Sequence, residues 1–154
     1  MERSSDKDVP GSGVMDIKFV SYDEGIDKAY YIRKAVFIEE QGVPPEEEID
    51  EHDRRATHIL VFDKGVPVGT GRLFKEKERW YIGRVAVLRE SRGKGIGRLI
   101  MEKLTAFARD HGAKRIFVHA QISVMDFYRN LGFTEQGAKF MDAGIPHKEM
   151  FREL

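Results

Sequence analysis

The sequence predicts one mixed α/β domain, with antiparallel hairpins first and a single β-α-β crossover in the middle. Three observations carry this. Two strand-like apolar runs flank the turn signal Asp63-Lys64-Gly65, as a hairpin requires. A third β-rich run, Trp80 to Leu88, feeds through a glycine loop into a helix and then another apolar run, the order of a crossover unit. The chain has 154 residues, which at roughly 100–200 residues per domain is one domain with one core.

Taken in order, residues 1–14 are polar, with Pro10, Gly11 and Gly13 and no periodicity, and read as a disordered tail or non-native leader. The domain is expected from Met15 to Leu154. Ile17 and Phe19 alternate with polar neighbours as in a strand. Ser21 and Glu24 have capping-box spacing, and Ile26, Ala29, Tyr30, Arg33 and Phe37 follow at helical intervals. That helix should end by Gly42, because Pro44-Pro45 cannot continue it. His58 to Phe62 and Val66 to Leu73 are the hairpin strands. After the glycine loop, Ile96, Leu99, Ile100, Leu104, Phe107 and Ala108 share one helical face, and Gly112 stops the helix. Arg115 to His119 is a strand. Ser123 and Asp126 repeat the capping-box spacing before Val124, Phe127, Tyr128 and Leu131, which predict a short amphipathic helix. Strand-like pieces around Phe133–Met141 and Lys148–Arg152 complete the chain.

Composition narrows the function. Lys+Arg 26 balances Asp+Glu 26, so no basic excess holds the protein to nucleic acid. Cysteine is absent, which removes disulfides, thiolate zinc sites and a covalent Cys nucleophile. His52 and His58 neighbour Asp50 and Asp53, but no helical i,i+4 His pair accompanies them and nothing in the pattern asks for a metal. No apolar run approaches the roughly 18 residues of a membrane span. The expectation is a soluble cytoplasmic protein with no membrane partner.

The most informative stretch is Arg89-Glu90-Ser91-Arg92-Gly93-Lys94-Gly95-Ile96-Gly97-Arg98, between a strand and a helix. Glycines let backbone N–H groups turn inward, and the helix start adds partial positive charge, so the loop suits an anion, most naturally phosphate. A tight turn with a solvated basic rim is the simpler alternative. A P-loop is excluded by spacing. A dinucleotide fingerprint fails as well, because the glycines run G-x-G-x-G and the next strand ends Val118-His119-Ala120-Gln121 without a carboxylate.

Arg92, Gly95 and Gly97 satisfy Arg-x-x-Gly-x-Gly, which resembles the acyl-CoA pyrophosphate loop of the GNAT N-acetyltransferase superfamily. Val85-Ala86-Val87 is similar to the strand whose backbone pairs with pantetheine in that family. Phe127-Tyr128-Arg129-Asn130-Leu131-Gly132-Phe133 resembles its Tyr-x-x-x-Gly-Phe helix end, with Gln121 where the family usually has Asn. Arg33-x-x-Val36-Phe37-x-x-Glu40-Gln41 and Gly144-Ile145-Pro146-His147 resemble the ElaA-like branch. The resemblance implies a mostly antiparallel twisted sheet with a central splayed parallel strand pair, flanked by helices. It implies acetyl-CoA as co-substrate, held by Val85, Ala86, Val87, Arg92, Gly93, Lys94, Gly95, Ile96, Gly97, Arg98, Gln121 and Tyr128. It implies acetyl transfer to a small-molecule or peptide amine by direct attack, without an acyl-enzyme, and is compatible with a homodimer. A non-catalytic acyl-CoA-binding regulator is the alternative, and an acylated-signal synthase on a similar fold a more remote one.

An alkyl amine with a pKa of about 10.4 must lose a proton to attack, and the departing thiolate gains from an acid. The family position makes Tyr128 that acid; on the residues alone it is equally a core aromatic beside Phe127 and Leu131. The base is open between Glu40, at the first helix end, and His119, at a strand end. His147 is implied at the acceptor site. Eight carboxylates lie between Glu39 and Asp53 with no Lys or Arg among them. They read as a solvated acidic loop, or as a funnel for a cationic amine in which Glu39 and Glu40 bind substrate.

Overall fold

The computed structural model describes residues 15–154; the tail expected at residues 1–14 lies outside the described residues. Seven strands form one sheet: β1 (Met15–Val20), β2 (Thr57–Asp63), β3 (Val66–Glu76), β4 (Arg79–Val87), β5 (Arg115–Gln121), β6 (Thr134–Asp142) and β7 (Ile145–Glu153). Their spatial order is β1-β2-β3-β4-β5-β7-β6. All neighbours are antiparallel except β4 and β5, which pair in parallel from Trp80–Ile116 to Ile82–Val118. This is the mixed, mostly antiparallel α/β sheet that the sequence predicted.

Helix α1 (Tyr22–Arg33) begins in the predicted capping box: Ser21 Oγ accepts from Glu24 N–H, and Glu24 Oε1 accepts from Ser21 N–H. Past Arg33 the helix widens into a π-helical segment, Lys34–Glu40, where an unbroken α-helix was expected. The second helix, α2 (Pro45–Glu48), is one turn, and α3 (Ile96–Asp110) carries the predicted apolar stripe through Ile96, Ile100, Leu104 and Ala108. The short α4 (Met125–Arg129) differs from expectation at its start. Val124 occupies its N-cap position without a side-chain bond, so the Ser123/Asp126 spacing forms no capping box, and Met125 is buried while Val124 is exposed. A 3-10 turn, Ile122–Val124, takes up the residues where that cap was expected.

Helices cover both faces of the sheet. In β2 Ile59 and Val61 join the cluster beneath α3, while Leu60 packs with Phe62 and Ala29 beneath α1. A strand buried on both faces reads as a continuous apolar run, as His58 to Phe62 does. The α3 face is closely approached: a Cβ on Gly71 would stand 2.8 Å from Ile100 Cγ2 and 3.1 Å from Leu104 Cδ1.

Candidate active site

Pairing between β4 and β5 stops at Ile82 and Val118, although β4 runs on to Val87 and β5 to Gln121. A bulge opens the gap. Between Gly83, opposite Arg72, and Ala86, opposite Thr70, β4 carries one extra residue, and Arg84 adopts φ +51° there. Bulges bend a strand out of register with its neighbour, so the β5-facing edge of β4 is left without a strand partner. The resulting cleft has a volume of about 600 Å³. Its walls are β4 from Ile82 to Val87, the π-helical residues Val36, Phe37 and Glu40 with Gln41, and the β5 end.

At one end of the cleft the glycine loop meets α3. Gly95 is the N-cap, held at φ +80° where a side chain would be strained, and no side chain caps the helix. The first N–H groups of α3 are thus free to serve an anion. Gly93, Gly95, Ile96, Gly97, Arg92 and Arg98 all line the cleft, whereas Lys94 does not. Arg92 is fixed from two sides: its Nε donates to Val87 O at 2.9 Å, and its Nη2 reaches Glu40 Oε1 and Oε2 at 2.9 and 3.1 Å. Arg89 adds a longer contact to Glu40.

Tyr128 also lines the cleft, edge-on to Phe127 and Phe133 at 5.0 and 5.8 Å between ring centroids. Burial pushes its hydroxyl up to about 12, so it carries its proton at neutral pH, as an ordinary phenol also does. Gln121 donates to Gln41 Oε1 at 2.8 Å, tying the end of β5 to the end of the π-helical segment. His119 and His147 line the same cleft from β5 and β7. His147 Nδ1 lies 2.7 Å from Ile145 O, and its ring stacks on Phe140. His119 Nε2 is 3.2 Å from Glu149 Oε1. Of the candidate site residues, Glu39 and Lys94 are the two that do not line the cleft; Glu39 is exposed and 4.0 Å from Lys34.

The acidic stretch is built differently from either expectation. Glu48 and Asp53 are buried with Arg33: its Nε donates to Glu48 Oε2 at 2.8 Å, its Nη1 to Asp53 Oδ1 at 2.8 Å and its Nη2 to Glu48 O at 2.9 Å. Arg72 grips Asp50 through two bonds of 2.6 and 2.9 Å and lies 3.0 Å from Asp53. Arg84, from the bulge, reaches Glu48 O at 3.1 Å and Asp50 Oδ2 at 3.3 Å. Burial alone would raise the Asp53 carboxyl, but the guanidinium groups of Arg33 and Arg72 outweigh it and hold it well below the usual carboxylate range. His58 Nε2 donates to Asp53 O, 2.9 Å away, and burial lowers the ring's pKa, keeping it neutral. Three of the eight carboxylates therefore serve to fold the cleft wall. The arginines responsible lie far off in sequence, so no local signal announced them.

A family model for the acetyltransferase (GNAT) domain matches residues 21–154. The chain belongs to the GNAT acetyltransferase family. Among relatives of this GNAT chain is the Bacillus subtilis (strain 168) protein described as uncharacterized N-acetyltransferase YjcF, 39% identical over 132 residues, which cover 85% of this chain and 94% of that one. The crystal structure of Escherichia coli ElaA superposes with a TM-score of 0.81 at 27% identity, covering 91% of this chain and all of that one. An acyl-CoA N-acyltransferase from Pseudomonas aeruginosa shares the fold, with a TM-score of 0.80 at 23% identity over 90% of this chain and 99% of that one. As a GNAT protein the chain is an acyltransferase that draws its acyl group from CoA. Among the described residues no helix is long and apolar enough to cross a membrane.

Proposed function

We propose that the protein is an acetyl-CoA-dependent N-acetyltransferase that acetylates a primary amine by direct attack. The observation that carries this is one cleft whose lining gathers Tyr128, the uncapped start of α3 and two histidines, His119 and His147. The N–H groups of α3 with Arg92 and Arg98 are suited to the pyrophosphate, and the unpaired edge of β4 along Val85, Ala86 and Val87 to the pantetheine amides. Val87 gives its carbonyl to Arg92, so its N–H and the groups of Val85 are the free partners in this reading.

The reaction forms a C–N bond and breaks the thioester C–S bond. Tyr128 supplies a proton to the leaving thiolate, and a base takes one from the amine. His119 suits the base better than Glu40. Both Glu40 oxygens already accept from Arg92, and the better use of this carboxylate is to orient Arg92 toward the phosphates. The chain has no cysteine to carry an acyl group, which is consistent with direct transfer. His147 and Gln41 flank the acceptor end. Acceptors in this reading are small or peptide amines, and the surplus acidic charge lining the cleft comes from Glu47 and Asp142, because Arg33, Arg72 and Arg84 neutralise Glu48, Asp50 and Asp53.

The test is thiol release from acetyl-CoA across a panel of amines, with Tyr128→Phe alongside. Turnover should fall by about 10²–10⁴ while CoA affinity is nearly unchanged. Amine-dependent thiol release equal to the amine-free rate across the panel would favour the non-catalytic regulator instead.

A further inference from the structure

Glu149 plays no part in the cleft lining, yet it sits directly across from His119 in the β5–β7 register and directly across from Gln136 in the β7–β6 register. The three side chains meet on one face of the sheet. Glu149 Oε1 is 3.2 Å from His119 Nε2, and Oε2 accepts from Gln136 Nε2 at 2.6 Å, with Arg79 Nη1 at 3.5 Å. Both oxygens thus face donors. The imidazole itself is gripped edge-on by Tyr81 from β4, 5.6 Å away at 67°, and by Phe140 from β6, 5.2 Å away at 78°.

We infer that Glu149 is the positioning residue for His119, fixing the imidazole with its proton on Nε2 and leaving the Nδ1 lone pair as the basic site. A carboxylate can only accept, so the ring nitrogen that touches it must be the one bearing hydrogen. The second nitrogen of a neutral imidazole is then an acceptor, and no group among the described residues bonds Nδ1. Because His119 spans from Glu149 to the cleft, the same contact that sets the tautomer also sets the ring plane. The charged and titratable groups facing this pair are Arg79 and Tyr81 from β4 and Glu149 from β7; β6 contributes the neutral Phe140 and Gln136. In group-transfer terms the amine N–H proton passes to Nδ1, the Nε2 proton remains in the bond to Glu149, and the carboxylate faces the imidazolium that results.

This inference rests on the reading of His119 as the base, and the two can fail separately. Steady-state rates are measured for His119→Ala, Glu149→Gln, Glu149→Asp and the His119→Ala/Glu149→Gln double variant, with thermal midpoints recorded for each. The expected result is a kcat about 10-fold or more lower in Glu149→Gln, short of the 10²–10⁴ expected for removing the base itself. The KM for acetyl-CoA should be unchanged, Glu149→Asp should recover part of the loss, and Glu149→Gln should cost nothing further once His119 is Ala. A purely structural role for Glu149 would give additive losses with a lowered midpoint, and overturns the inference. Wild-type turnover in His119→Ala would remove the base and this inference together. Loss in His119→Ala with full kcat in Glu149→Gln would overturn the inference alone. Nitrogen-15 spectra give an activity-free reading: a neutral His119 carrying its proton on Nδ1 would likewise refute it.

Discussion

Replacing Arg33 with Met removes the centre of the buried ion network while keeping a side chain of comparable reach. Arg33 is 1% exposed and makes four bonds, to both oxygens of Asp53, to Glu48 Oε2 and to the Glu48 carbonyl. Asp53 would keep Arg72 at 3.0 Å and the Asp50 N–H at 3.0 Å. Glu48 would keep only Arg84, at 3.4 Å, and its Oε1 already lacks a partner. Breaking a buried pair from one side costs about 3–5 kcal/mol, because the stranded carboxylate is not solvated. For a chain of this size each kcal/mol moves Tm by about 2–4 °C, so Tm should fall by roughly 6–20 °C. Urea unfolding should show a lower midpoint with an unchanged slope. Adding Glu48→Gln to Arg33→Met should recover part of the loss, since a neutral amide does not need the guanidinium. A loss under about 1 kcal/mol, the range of solvated surface pairs, or strict additivity in the double variant, would refute the view that these charges are desolvated and coupled.

The remaining predictions concern pH, packing and capping. Asp53 and Asp50 have lowered folded-state values, so their contribution is fully present above the unfolded value near 3.9 and is lost as pH falls through the lower folded ones. The wild-type Tm should therefore drop steeply below about pH 4, and Arg33→Met should give a flatter curve over the same range; equal slopes would count against the pairing. Gly71→Ala sets a Cβ 2.8 Å from Ile100 Cγ2 and should cost about 1–3 kcal/mol in chemical unfolding, with a neutral result showing that α3 can retreat. Ser21→Ala should cost about 1 kcal/mol, while Ser123→Ala, which caps nothing in the structure, should change stability by less than about 0.5 kcal/mol.

The two serines show where local pattern is enough. Ser21 and Glu24 satisfy one another within a single turn, so their spacing needed nothing from elsewhere in the chain. Ser123 and Asp126 have the same spacing, but β5 delivers the chain into a 3-10 turn there, and the helix starts later. The true second capping box, Asp50 with Asp53, lay hidden in what looked like an undifferentiated acidic run. The glycine loop was legible for the same reason as Ser21: the strand, the left-handed Gly95 and the α3 start are contiguous, and an uncapped helix start is a local object.

The pairing of charges around the cleft was not local. That Glu40 is spoken for by Arg92, and that Glu48, Asp50 and Asp53 answer to Arg33, Arg72 and Arg84, follows from how the helical segments pack on the sheet, while His119 stands opposite Glu149 by strand order and register. β7 inserts between β5 and β6, and only that insertion places Glu149 beside both His119 and Gln136. By itself the sequence determined the mixed sheet, the capped start of α1 and the glycine loop leading into α3, because short-range spacing governs backbone propensity and capping. Tertiary structure decided which charges remain free to meet a substrate. A side chain's electrostatic role depends on what lies within a few ångströms of it, and those neighbours come from distant parts of the chain.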